Sequence, residues 1–147
     1  MILIKNRAIT HEFNIEERFQ AGISLLGLEV KSIRNGQCNI SEAYISHKKG
    51  ELFLQNALIS QYKFASVEKN YTPMRLRKLL LHKKEINKCI GKSQKKGMTI
   101  IPISMFLNKR GLIKIEIAIA KGKKLFDKRR SEKEKEWTRE KINAERI

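Results

Sequence analysis

The sequence predicts a mainly β fold: a small closed or nearly closed barrel with inserted helices, followed by a basic tail. Three observations carry this. Ile113, Ile115, Ile117 and Ile119 alternate with Lys114, Glu116, Ala118 and Ala120, the period of a strand with one face in a core. A similar alternation runs from Phe13 through Ile15, Phe19, Ala21, Ile23 and Leu25, with Glu17 the one misfit. At Lys121 the pattern stops, and Lys121, Lys123, Lys124, Lys128, Arg129 and Arg130 fall within ten positions. Residues 1–120 are therefore expected to fold as one domain and 121–147 to form a basic extension.

Taken in order, residues 1–12 show little pattern and read as an arm leading into the fold. The strand from Phe13 should bend near Gly22 and break at Gly27. Leu26, Val30 and Ile33 recur at i, i+4 and i+7, a short helix closed by Asn35-Gly36. Ala43–His47 and Leu52–Leu54 read as hairpin arms across Lys48-Lys49-Gly50, with another short strand near Ala57–Ile59. Residues 61–71 look irregular. Thr72-Pro73 resembles a helix start, and a helix is predicted from there to Ile90, with Gly91 just past its end. Leu76, Leu79, Leu80, Lys83, Ile86 and Ile90 would form its apolar stripe, Arg77, Leu81, Lys84 and Lys88 its cationic one. A second hairpin joins Thr99–Leu107 to Gly111–Ala120 across Asn108-Lys109-Arg110-Gly111. Some six strands result.

The tail keeps few apolar side chains: Leu125, Phe126, Trp137, Ile142 and Ile147. Ser131 and Glu134 form a capping-box signature, so residues 132–145 can become a helix. Such a helix is marginal alone in water. Disorder is expected in the free protein, with helix formation on binding.

The charge balance of 32 basic against 15 acidic residues, +17, points to a polyanionic partner, most simply nucleic acid. It is not a property of the tail alone: residues 1–120 carry +12 and residues 121–147 carry +5. A lysine-, isoleucine- and asparagine-rich codon bias is the bland alternative. Two cysteines, Cys38 and Cys89, make no disulfide framework and suggest a reducing compartment. The apolar run at Met1–Ile4 is too short for a signal peptide, and no stretch approaches a membrane span, so the cytoplasm is expected, without a membrane partner.

Enzyme readings find little support. Glu16 and Glu17 are strand neighbours that point to opposite faces, and Asp127, the single aspartate, sits among cations. His11, His47 and His82 are too dispersed for a metal or triad site, and no cofactor is expected. Ile90-Gly91-Lys92-Ser93 imitates a phosphate loop but lacks the earlier glycine, with Ile86 in its place, and closes a helix rather than opening one. What remains is binding through Lys31 with Arg34, Arg75 with Arg77 and Lys78, the loop Lys92–Lys96, and the tail. Any one of these alone is more simply a solvated face; together they indicate RNA or DNA. Aromatic residues make up only 7% of the chain, which disfavours a stacking platform for single strands and favours folded RNA read by shape and backbone.

Three blocks, FNIEERFQAGISLLGLEVKSIRNGQCNI (Phe13–Ile40), RLRKLLLHKKEINKCIGK (Arg75–Lys92) and AKGKKLFDKRR (Ala120–Arg130), in this order resemble the SsrA-binding protein family, small protein B of bacterial trans-translation. The resemblance implies an oligonucleotide-binding-type barrel that binds the tRNA-like end of transfer-messenger RNA and delivers it to stalled ribosomes. It implies RNA contacts at Asn6, Arg7 and His11, and at Leu80 in the leucine triplet. In the tail it assigns Lys121-Gly122-Lys123-Lys124 and Asp127-Lys128-Arg129 to the ribosome, as a helix in the empty mRNA channel near the decoding centre. A monomer when free is expected. A ribosomal structural protein or a general RNA chaperone is the rival reading.

Three positions depart from the family's pattern. Gln20 stands where the family usually has a glutamate implicated in RNA binding. Ala8 and Thr10 replace residues that are often basic. Phe126 holds a position that is His or Tyr in many relatives, which keeps a ring there without its polar tip.

Overall fold

The computed structural model describes residues 1–62 and 70–122. The expected tail beyond Gly122 lies outside them. Nine strands and three helices are present among the described residues. They run β1 (Ile2–Lys5), α1 (Ile9–Glu12), β2 (Phe13–Ile23), α2 (Gly27–Arg34), β3 (Cys38–Asn39), β4 (Tyr44–Lys48), β5 (Glu51–Gln55), β6 (Leu58–Ile59), β7 (Arg77–Leu80), α3 (Lys83–Ser93), β8 (Met98–Leu107) and β9 (Ile113–Gly122).

Seven strands form one antiparallel sheet in the order β1-β8-β9-β2-β7-β5-β4, and β3 pairs with β6 in a small second sheet. The seven-stranded sheet curls until β4 comes back against β8, which makes the expected barrel. Its interior is filled by Ile115, Ile117 and Ile119 from β9, Ala21 and Ile23 from β2, Leu52 and Leu54 from β5, and Leu79 from β7. Each fully buried isoleucine or leucine among them contributes about 1.5–3 kcal/mol.

Local chemistry accounts for the joints. The β4–β5 hairpin turns through Lys49 (φ 51°) and Gly50 (φ 76°), the doubly left-handed geometry that matches strand twist. In the β8–β9 turn, Asn108 Oδ1 accepts from the Arg110 and Leu112 amides at 3.0 and 2.9 Å, and Gly111 takes φ 77°. Helix α2 ends as its sequence indicates: Gly36 has φ 73°, and the Gly36 and Gln37 amides donate to Ile33 and Ser32 carbonyls. β2 slips its register against β9 between Ile15 and Glu17, so Phe13 and Ile15 pack with Ala118 and Ala120 while Phe19 and Ala21 face the main core; Glu17, the polar misfit, pairs with Lys88 at 2.7 Å.

Two expectations are corrected. The first twelve residues are not a patternless arm: β1 pairs with β8, and α1 lays Ile9 on Ile101, Ile103, Ala118 and Ala120. This second apolar cluster explains why Ala118 and Ala120, on the outer face of β9, are buried. The helix expected over 72–90 is divided. Residues Arg77–Leu80 are a strand between β2 and β5, and the helix starts only at Lys83, where Glu85 accepts from the His82 amide at 3.2 Å. It then passes through Gly91 to Ser93. Pro73 begins no helix; its carbonyl accepts from the Ile59 amide and from Arg77.

Candidate nucleic-acid interface

The interface is organised from inside, by a carboxylate. Glu29 on α2 is fully buried and receives Arg77 Nε at 2.7 Å, the Arg75 guanidinium, and the Leu26 amide at 2.8 Å. Arg77, also fully buried, donates further to the carbonyls of Ala57 and Pro73 at 2.9 Å each and to the Tyr71 hydroxyl at 3.0 Å. The Tyr71 hydroxyl in turn donates a hydrogen bond to the Ile59 carbonyl at 2.7 Å. Burial alone would push the Glu29 carboxyl up; hydrogen bonds from Arg75, Leu26 and Arg77, with the Arg77 charge, outweigh it and hold the group below its ordinary value. Burial, then the Glu29 charge, raises the Tyr71 phenol. The cluster fastens α2 to β7.

This changes the roles of two expected contact residues. Arg77 is no surface cation, because alternation in β7 turns Arg77 and Leu79 inward and Lys78 and Leu80 outward. Asn6 is likewise buried; its Nδ2 donates to the Ile40 and Pro102 carbonyls at 3.3 and 3.2 Å, tying β1 to the barrel. Its Oδ1 has no hydrogen-bond partner among the described residues.

On the outer face, the fold gathers several of the remaining candidates. Gly22 pairs with Leu80 on one side and Lys114 on the other, and Gln20, two residues back on the same face, pairs with Glu116. A Cβ at Gly22 would stand 3.1 Å from Leu80 Cβ, so glycine is what lets Leu80 lie across β2. Leu80, 55% exposed, forms with Leu112, Val30, Leu25 and Lys114 a cleft of about 310 Å³. Arg34 of α2 reaches the cleft's edge, donating to the Gly111 carbonyl at 3.3 Å. Lys31 is exposed one turn earlier, its Nζ 5.7 Å from the Tyr62 ring centroid. Lys78 is exposed and 3.9 Å from Glu51, and Arg75 is partly exposed at the edge of the buried cluster.

Arg7 and His11 are also exposed, but they stand apart from the cleft. Helix α1 rests on Ala118 and Ala120, farther along the same outer side of β9 that carries Lys114 and Glu116. Of the expected tail, Lys121 and Gly122 close β9, whereas Lys123, Lys124, Phe126, Asp127, Lys128 and Arg129 lie outside the described residues.

The sequence reading missed Glu29, Leu112 and Lys114. A signal for Glu29 existed: a carboxylate four residues before Ile33 falls on the apolar side of α2, where only a buried cation could balance it. Burial pushes the Cys38 thiol up to about 12 and the Cys89 thiol up to about 11, which disfavours the thiolate at neutral pH. Among the described residues no group of three His, Cys, Asp or Glu could hold a metal ion, and no helix is long and apolar enough to cross a membrane. The arrangement is thus an apolar cleft with basic flanks on a rigid sheet, suited to a polyanion with exposed bases or sugars.

Known proteins share this architecture and sequence. An SsrA-binding protein of Wolbachia pipientis subsp. Culex pipiens (strain wPip) is 52% identical over 140 residues, covering 95% of this chain and 93% of its own length. One from Afipia carboxidovorans is 50% identical over 140 residues, with 95% and 88% covered. A solved chain from work described as "tmRNA-SmpB: a journey to the center of the bacterial ribosome" superposes with a TM-score of 0.70 at 40% identity, covering 84% of this chain and 86% of that one. The family model described as SmpB protein matches residues 3–146, and the chain belongs to that family.

Proposed function

We propose that the protein is a non-enzymatic RNA-binding adaptor of trans-translation. It binds the tRNA-like domain of transfer-messenger RNA and delivers it to ribosomes stalled without a stop codon, in the cytoplasm. The observation that carries this reading is the outer sheet face, where Gln20, Arg34, Lys78, Leu80 and Lys114 surround or flank one cleft in a chain of net charge +17. Two of the relatives named above are SsrA-binding proteins, and the solved neighbour concerns tmRNA-SmpB in the bacterial ribosome.

In this reading Gln20, Lys31, Arg34, Arg75, Lys78 and Leu80 meet the RNA around the cleft, with Arg7 and His11 extending the contact along the same face. Asn6 and Arg77 act from within, by fixing β1 and β7. Gln20 supplies a neutral amide where relatives usually carry a carboxylate, so it can donate as well as accept a hydrogen bond. Residues 1–120 form the RNA-binding domain. Residues 121–147 engage the ribosome, folding as a helix there, with Lys121, Gly122, Lys123, Lys124, Phe126, Asp127, Lys128 and Arg129 carrying the contact.

The test is a gel-shift competition between the tRNA-like RNA and an unstructured strand of equal length. A clear preference for the folded ligand is expected, with affinity falling steeply as salt rises. Equal binding of the two would sink the reading. Permanent co-sedimentation with washed ribosomal subunits would favour a structural ribosomal protein instead.

A further inference from the structure

We propose that the cavity between α1 and the segment leading into β4 binds a linear aliphatic polyamine, its ammonium groups held by Glu12, Glu42 and the unpartnered carbonyl of Asn6. The site shares no lining residue with the cleft around Leu80, and it does not depend on the function proposed above.

The cavity has a volume of about 370 Å³, within the range of small-molecule sites. Glu12 enters it from α1 and Glu42 from the turn before β4, and both are exposed. Among the described residues neither carboxylate joins an ion pair, although the chain has 32 lysines and arginines against 15 acidic residues. No lysine or arginine is among the described residues that line the cavity. Backbone contacts fix both carboxylates at their roots. Asn56 Nδ2 donates to the Glu42 carbonyl and the Ala43 amide to the Ile40 carbonyl, each at 3.1 Å, and the Glu12 amide donates to the Ala8 carbonyl at 3.2 Å.

Asn6 is the residue that calls for a ligand. It lines the same cavity and is only 7% exposed. Its Nδ2 is identified by the Ile40 and Pro102 carbonyls that accept from it. Oδ1 is thereby left buried with no partner among the described residues, a cost that a donor in the cavity would relieve.

The lining selects the ligand chemistry. A primary ammonium has three donors and no acceptor, which matches two carboxylates and a carbonyl that only accept. Ile9, Phe13 and Ile101 give the cavity an apolar wall, suited to the methylene groups between charges rather than to a hydrated ion. Magnesium gives up its waters reluctantly, and calcium wants a fuller set of oxygens than this. One lysine side chain would answer one carboxylate and leave the other unpaired; a polyamine answers both with a single molecule. A chain of net charge +17 repels polycations in general, so saturable uptake of one is expected only where unpaired carboxylates lie together.

The experiment is equilibrium dialysis of the full chain against labelled spermidine at physiological salt, without RNA. One saturable equivalent is expected. Glu12→Gln combined with Glu42→Gln should weaken binding about tenfold, through two lost charge-assisted hydrogen bonds, and each single variant should weaken it less. Glu16→Gln removes an exposed carboxylate that does not line the cavity and should leave affinity within about twofold. These side chains are exposed, so thermal unfolding of the variants should match the wild type. n-Butylamine, with one charge, should compete about tenfold more weakly than spermidine, and magnesium chloride no better than sodium chloride at equal ionic strength. No saturable binding, a matching loss in Glu16→Gln, or competition by n-butylamine or magnesium as strong as that of spermidine would each overturn the inference. With no RNA present, those results leave the function proposed above standing; a chain without preference for tRNA-like RNA would overturn that function alone.

Discussion

Arg77 and Glu29 meet wholly inside the protein, with guanidinium Nη2 2.6 Å from carboxylate Oε2 and neither side chain touching solvent. The pair joins the helix carrying Lys31 and Arg34 to the strand carrying Lys78 and Leu80. Removing one partner strands the other charge. Glu29→Ala is expected to cost about 3–5 kcal/mol, measured by urea unfolding. Arg77→Ala should cost a similar amount, and the double variant less than the sum, because the two share one interaction.

The same pair predicts an acid sensitivity. Glu29 has a folded-state value lowered from its ordinary 4.5, so its contribution is present in full above that value and is lost as pH falls through the lower one. Stability of the wild type should therefore drop below about pH 4.5 more steeply than that of Glu29→Gln, which has no proton to take up there. Parallel pH profiles for the two proteins would refute the assignment.

Leu80 is held outward over Gly22, where it supports no core. Leu80→Asp should change stability by no more than about 0.5 kcal/mol, as exposed substitutions usually do. It should weaken tRNA-like RNA binding about tenfold, or about 1.4 kcal/mol, through charge repulsion and loss of the apolar contact. Gel shift and thermal unfolding on the same preparation separate the two effects.

Ile9 is the anchor of α1, buried against Ile101, Ile103, Ala118 and Ala120. Ile9→Ala should cost about 2 kcal/mol, toward the low end for isoleucine truncation because the cluster lies at the edge of the barrel. Amide exchange should quicken over residues 8–13 while β5 and β7 stay protected.

Deleting residues 121–147 should leave tRNA-like RNA binding within twofold and abolish peptide tagging on stalled ribosomes in a reconstituted translation system. Equal loss of both activities would refute the division between barrel and tail.

Much was legible in the sequence because local rules decided it. The alternation of Ile113–Ile119, the Lys49-Gly50 and Asn108–Gly111 turns and the Asn35-Gly36 helix end depend on neighbours a few residues apart, and each took the expected form. So did the existence of β2, although its bulge between Ile15 and Glu17, which sends Phe13 and Ile15 to a different cluster from Phe19 and Ala21, left no local signal. Composition pointed to a polyanion, and the three sequence blocks carried the family.

What local rules could not decide was the fate of residues whose partners are distant in the chain. Arg77 looked like a helix-surface cation because nothing near it in sequence shows that Glu29, 48 positions earlier, waits inside the barrel. With that charge compensated, the period-two pattern of β7 prevails, and Leu80 faces outward rather than joining a helical stripe. The same reason hid β1 and α1, whose order comes from β8 and β9, a hundred residues away. Local sequence determined the turns, the long alternating strands and the sign of the surface; only long-range pairing, which balances buried charge and covers apolar faces, decided that Arg77–Leu80 is a strand, that the first twelve residues are ordered and which side chains the surface presents.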